Sequence, residues 1–315
     1  MKYLAPAKVN LYLEILGRRA DSYHRIQTVM QTVSLYDELE IEPLPKGIKF
    51  VSAHPLLNKN NLILQAVNLL QKFNKKKKGI KIILKKNIPL ASGLGGGSSD
   101  AGCILNLLNQ IWELNLSKDV LFSLAKKIGA DVPFFLQGGY AYAQGIGENI
   151  SSYSFLPNYW LVLVNPGLML QSKEIYAQYD RLKLTKRTNF NKMKTAKFFW
   201  QNLSTAQEIA KNLFNRLEDV VLPGFPEIAK IKEILISFGA LGSLMSGSGS
   251  TVFGIVESEK KGKEILKKLR KYPWRTWLVK TVGESPSGKA RDFVGRPCLH
   301  LPAPVKPAQV SQAQV

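Results

Sequence analysis

The sequence predicts an α+β protein built in two parts and followed by a tail, on three observations. Alternating β-branched runs and helix-spaced apolar residues are interleaved over residues 1–284. A glycine-rich turn stands between an apolar strand and a helix in the first part. From Ser285 onward the chain carries five prolines among 31 residues with no apolar periodicity, the composition of a disordered tail.

In chain order, alternation predicts strands over 8–16, 38–43 and 48–52, a helix over 62–73 and a strand over 80–85. The glycine turn follows, with a helix beginning near Ser99-Asp100-Ala101 and running to Trp112, and another over 121–128. These make a first part of residues 1–151. The second part, 152–284, opens on a strand over 160–165 that meets Pro166-Gly167. Residues 181–207 hold seven basic residues and no acid, which reads as a basic helical surface region. Helices over 206–216 and 226–238, a strand over 251–257, a helix over 260–272 and a closing strand over 276–282 complete it.

Hydrophobic residues make up 45% of the chain, ordinary for a globular protein, and no apolar run reaches the ~18 residues that span a bilayer. The first residues, Met1 to Lys8, have neither the apolar stretch of a secretory signal nor the character of a transit peptide. The two cysteines, Cys103 and Cys298, give no disulfide framework and no metal spacing. A cytoplasmic protein without a membrane partner is expected. Forty-four Lys and Arg against 23 Asp and Glu leave a net charge of +21, and eleven lysines but no acid lie between Glu42 and Asp100. Such a field attracts nucleic acid or a phosphate-rich small molecule. The lysines are not interleaved with stacking aromatics, which disfavours nucleic acid. Plain solvated lysines are the simplest account.

The run Pro89-Leu90-Ala91-Ser92-Gly93-Leu94-Gly95-Gly96-Gly97-Ser98-Ser99 is the strongest chemical signal. Glycines permit φ > 0 and let backbone N–H groups approach a phosphate, and a helix N-terminus adds unpaired donors. No Gly-Lys-Ser/Thr follows, so this is not a P-loop. Ser98 stands where the dinucleotide fingerprint requires glycine. The later signatures of protein kinases are absent. A phosphate-holding loop of another kind remains, with a plain flexible turn as the alternative.

Three weaker features accompany it. Asp131, in Gly129-Ala130-Asp131-Val132-Pro133, lies between a helix end and the apolar Phe134-Phe135-Leu136, read as a strand. It is a cap or turn residue, or a carboxylate placed to take the proton of an attacking hydroxyl. Lys8 begins an otherwise apolar strand and is a candidate cation beside it. Tyr23-His24 can stack on and hydrogen-bond a ring. Ser246-Gly247-Ser248-Gly249 forms a second glycine-serine turn.

Together these motifs resemble the GHMP kinase superfamily: Pro6-Ala7-Lys8-Val9-Asn10-Leu11, then Pro89 through Ala101, then Met245 through Gly249. Gly17 through His24, the triple glycine 95–97 and Gly129 through Phe134 make the chain similar to the branch acting on 4-diphosphocytidyl-2-C-methyl-D-erythritol. The likeness covers residues 1–284. It implies a two-domain GHMP kinase fold, with a domain like the second domain of ribosomal protein S5 followed by an α/β domain. It implies ATP as cosubstrate and transfer to the acceptor's 2-hydroxyl. Asp131 becomes the base, with Lys8 holding it ionised. Tyr23 and His24 grip the cytosine, Asn10 lies near the reacting end, and Asn61 and Lys86 line the substrate and nucleotide sites. Mg²⁺ is expected from phosphoryl transfer in general, with no acid marked as its ligand. Ser22 departs from the family's glycine, Arg25 from an acid, Lys173 from threonine and Ser250 from proline. The rival readings are a mevalonate or homoserine kinase of the same superfamily, and an RNA-binding protein.

Overall fold

The computed structural model describes residues 1–57, 61–153, 158–182, 190–282 and 299–301. Strands β1 (Lys2–Arg18) and β2 (His24–Leu44) form a long antiparallel hairpin. It is the centre of an eight-stranded sheet in the order β12–β1–β2–β4–β3, with β3 (Ile48–Ser52), β4 (Gly79–Lys85) and β12 (Leu299–Leu301). After α1 (Leu62–Gln71) and β4 come α2 (Gly96–Ile111), α3 (Lys118–Ile128) and the single turn α4 (Val132–Phe135). Strand β5 (Tyr140–Gly145) pairs with β2, and β6 (Asn149–Ser152) with β5. The apolar stripes of α1, α2 and α3, including Ile63, Leu70, Ile104 and Leu124, pack with Ile41 and Ile82 of the sheet in one core.

The second sheet is four-stranded and antiparallel, ordered β11–β7–β10–β9, with β7 (Trp160–Asn165), β9 (Gly242–Met245), β10 (Val252–Val256) and β11 (Arg275–Lys280). Helices α5 (Ser172–Arg181), α6 (Phe190–Gln201), α7 (Ala206–Lys211), α8 (Glu218–Gly224), α9 (Pro226–Ser237) and α10 (Glu259–Leu269) surround it. Period-2 geometry sends alternate residues of β7 to opposite faces. Val162 and Val164 join Ile231, Leu235 and Ile265 in one core, while Leu161 and Leu163 meet Val9 and Leu11 of β1 in another. The second core therefore lies between the two sheets and sets β1 against the second glycine-serine turn. The short β8 (Phe214–Asn215) crosses to the first sheet and runs parallel to β1.

Several elements differ from expectation. Strand β2 begins at His24, far before residue 38, because almost all its residues up to Val33 are buried on both faces and no alternation is written there. Residues Val132–Phe135 are helical, with Pro133 in the first turn, not strand. The helix over 206–216 stops at Lys211, and Phe214 and Asn215 are strand. Helix α2 starts at Gly96, earlier than Ser99, so the glycines are themselves its first turn. In the basic region α6 is formed but buries Trp200, whose ring lies 6.0 Å from that of Tyr12, so it is not purely a surface helix. Cys103 is buried on α2, and Cys298 lies outside the described residues. Of the tail, residues 299–301 pair with β1, and the remainder lies outside the described residues.

Candidate active site

Lys8 and Asn10 are two apart on β1 and share a face, next to a register irregularity against β2 between Asn10 and Tyr12. Both are buried. A buried ammonium is costly unless paired. Lys8 Nζ donates to Asn10 Oδ1 and lies 3.5 Å from Asp131 Oδ2, whose side chain is 36% exposed. Asp131 itself immediately precedes α4. The Asn10 amide is fixed from behind, since Nδ2 donates to Thr28 Oγ1 at 2.8 Å and the Thr28 hydroxyl donates to Tyr12 O at 2.7 Å.

The glycine loop closes over this pair. Lys8 N donates to Leu94 O at 2.9 Å. Gly93 has φ +77°, and a β-carbon there would lie 2.0 Å from Ser246 O, so only glycine lets the two turns touch. The Ser246 hydroxyl donates to Gly93 O at 2.9 Å and accepts from Asn10 N at 3.2 Å. Ser92 is held by its hydroxyl on Pro89 O at 2.7 Å, and Ala91 O accepts from Leu170 N at 3.2 Å. With Gly95 as N-cap, the first-turn amides of α2 have no partner within the helix and carry its positive dipole end. Among the predicted residues the structure thus joins Lys8, Asn10, Asp131, the loop and the Ser246–Gly249 turn.

Lys86 is pinned beneath the same helix. Its ammonium donates to Asp37 Oδ2 and, at 2.9 Å, to Asp100 Oδ2, and a β-carbon on Gly96 would lie 2.8 Å from its Nζ. Burial opposes the charge of Lys86, but the Asp100 and Asp37 carboxylates outweigh it and hold its pKa above the ordinary lysine value. Burial pushes Asp100 up to about 7, with Lys86 opposing and Asp37 adding. Asn61 caps α1: its Oδ1 accepts from Leu64 N at 2.8 Å and its Nδ2 donates to Leu57 O at 2.6 Å. Those bonds engage both ends of its amide.

Tyr23 and His24 do not share one environment. Tyr23 is 60% exposed, while His24 is buried with its ring stacked on Tyr176 at 5.0 Å and Nε2 2.7 Å from Asp180 Oδ1. Burial raises the Tyr176 phenol, and the Asp131 carboxylate adds to the rise, which ties this aromatic pair to the Lys8–Asp131 end. Ser22 sits at φ +69°, the left-handed conformation that the missing glycine would have taken without strain. Tyr176, Asp180, Thr28 and Asp37 carry no motif in the sequence. Their proximity comes from α5 and β2, whose presence around these positions the periodicity does not announce.

Comparison with known proteins shows the family. The family described as GHMP kinases N terminal domain matches residues 61–139, and that described as GHMP kinases C terminal matches 200–273. A 4-diphosphocytidyl-2-C-methyl-D-erythritol kinase of Syntrophus aciditrophicus is 42% identical over 285 residues, covering 90% of this chain and 99% of that protein. The enzyme of the same name from Bacillus pumilus is 40% identical over 283 residues, covering 89% and 96%. A crystal structure of a 4-(cytidine 5'-diphospho)-2C-methyl-D-erythritol kinase aligns at 33% identity and a TM-score of 0.75 over 90% of this chain and 100% of that one. Mevalonate kinase from L. major shares the fold at a TM-score of 0.69 but only 18% identity, over 90% and 97%. With both GHMP segments present and such identity over nearly the whole length, the chain belongs to the 4-diphosphocytidyl-2-C-methyl-D-erythritol kinase family.

Proposed function

We propose that this ATP-dependent small-molecule kinase transfers the γ-phosphoryl group of ATP to the 2-hydroxyl of 4-diphosphocytidyl-2-C-methyl-D-erythritol, a step of non-mevalonate isoprenoid synthesis. The observation that carries the reading is the meeting of Lys8, Asp131 and the glycine loop, with Lys8 Nζ 3.5 Å from the carboxylate and Lys8 N bonded to Leu94 O. Phosphoryl transfer asks for alignment and charge neutralisation more than covalent catalysis. The residues Pro89 to Ser99 and the α2 dipole hold the triphosphate, with Asn61 and Lys86 lining the substrate and nucleotide sites. Asp131 takes the proton of the acceptor hydroxyl, whose oxygen forms the bond to the γ-phosphorus as the bond to ADP breaks. Lys8 faces the carboxylate and supports the acceptor oxygen, and Asn10 orients Lys8. At the far end His24 and Tyr23 hold the cytosine, with Tyr176 beside them. The turn Ser246 to Gly249 braces the loop. Residues 1–151 and 152–284 are the two domains that contribute these parts.

Mg²⁺ fits this site as a companion of ATP. The Ser99 hydroxyl and Asp100 Oδ1 are buried without a hydrogen-bond partner at the start of α2, and hard oxygen donors of this kind suit the ion. No group of three His, Cys, Asp or Glu forms a metal cage among the described residues, so phosphate oxygens would complete the shell around Ser98 or Ser99. When bound, the ion supplies neutralisation of phosphate charge. No helix among the described residues is long and apolar enough to cross a membrane.

An acceptor panel tests the assignment. ADP release with the cytidine compound, and not with mevalonate or homoserine, is the expected result. Turnover of mevalonate or homoserine alone would overturn it. RNA binding with a steep salt slope and no ATP turnover would favour the nucleic-acid reading suggested by the charge of +21.

A further inference from the structure

The turn Ser246–Gly249 touches both halves of the catalytic centre, so whatever fixes its position also fixes the distance between Lys8 and the glycine loop. Ser246 O lies against Gly93, and a β-carbon on Gly247 would lie 3.1 Å from Asn10 Oδ1 and 3.4 Å from Lys8 Nζ. The backbone carbonyls of this turn must therefore be held away from the site. Asn215 does this. Its Nδ2 donates to Met245 O at 2.8 Å and to Gly247 O at 2.7 Å, while its Oδ1 accepts from Leu217 N at 3.0 Å. The side chain is buried, and these bonds engage both N–H groups of the amide as well as its oxygen.

Asn215 is itself mounted on the strand that carries Lys8 and Asn10. It pairs with Leu13 of β1, and the next residue, Arg216, donates its N–H to Leu13 O at 2.8 Å. The Arg216 guanidinium then grips Glu14 through two bonds of 2.7 and 2.8 Å. Glu218 adds a second hold, accepting from Met245 N at 2.8 Å. We infer that Asn215 is a positioning residue of the kinase, which suspends the second glycine-serine turn from β1 and so sets the glycine loop at its working distance from Lys8 and Asn10. The inference rests on the kinase reading above and deepens it, and it concerns the ATP side of the site. His24, Tyr176 and Asp180, at the cytosine end, sit on other elements.

The test is steady-state kinetics of Asn215→Asp, in which both donors become acceptors facing two carbonyls. Asn74→Asp is the control, because Asn74 is also buried and bonds only backbone, to Lys78 N and O, in the turn before β4 at the end away from the loop. Wild-type turnover of the cytidine acceptor is measured first, and its absence would sink the kinase reading without bearing on Asn215. Given that turnover, folded Asn215→Asp is expected to lose about tenfold or more in kcat/KM for ATP, with KM for the acceptor within about twofold of wild type. The control keeps both parameters per folded molecule. If Asn215→Asp does not fold, Asn215→Ser, which retains one donor, is expected to show a smaller loss on the same side. Wild-type ATP kinetics in the folded variant, a loss no larger than its loss of folded protein, or a loss confined to the acceptor KM would each overturn the inference.

Discussion

Asp100 illustrates how one residue's environment decides its charge. It is buried under the glycine loop with one oxygen on Lys86 and the other unpartnered. Burial lifts its pKa to about 7, whereas an unfolded carboxyl titrates near ~3.9. Between these values the folded protein binds the extra proton, so this group's contribution to stability falls as pH rises from about 4 to about 7 and is level beyond. Asp100→Asn removes the term, and its stability relative to wild type should therefore climb over that window. The slope is at most about 1.4 kcal/mol per pH unit. Urea midpoints at pH 5 and pH 7.5 measure it, and a constant difference between the two proteins would contradict the account. Lys8 and Asp131 show the other limit: each stands in a local motif that the sequence displays, but the 3.5 Å contact between them joins residues far apart in sequence.

At the scale of elements, the turn between β1 and β2 is a clean test of backbone chemistry. Ser22 holds φ +69° with a side chain, a conformation that costs roughly 1–2 kcal/mol beyond glycine. Ser22→Gly gives back part of that to the entropy of a more flexible unfolded chain. A net gain of about 0.5–1 kcal/mol in urea unfolding is expected, and a loss would mean that Ser22 earns its place by contacts not visible in the turn. The same hairpin shows what the sequence can and cannot announce. The β7 strand, the helices α1, α3 and α9 and the glycine loop were readable because each writes one period and ends on clear signals. Buried on two faces, β2 writes no period, and α4 is one turn whose apolar residues read equally as strand. Helix α5 carries Tyr176 and Asp180 to His24 but buries only Ile175 and Tyr179, too thin a stripe to stand out. Part of the site was hidden for this reason.

For the whole molecule, the excess of lysine has a use consistent with two polyphosphate substrates. Lys76 and Lys78 reach Glu113, but such exposed pairs contribute little stability. Lys75 and Lys77 add two further positive charges to the same turn. Replacing Lys75 and Lys77 by Gln should flatten the salt dependence of kcat/KM for ATP and leave kcat unchanged, and an unaltered salt slope would assign these lysines to solubility alone. The fold itself serves to bring two glycine turns, from different sheets, onto one strand beside one carboxylate. The most direct measurement of that claim is single-turnover phosphoryl transfer to the cytidine acceptor by wild type and Asp131→Asn, with ATP affinity measured on both. The account predicts a phosphomonoester at the 2-hydroxyl, formed about 10²-fold or more slowly by the variant at unchanged ATP affinity. A variant that transfers at near the wild-type rate would contradict it.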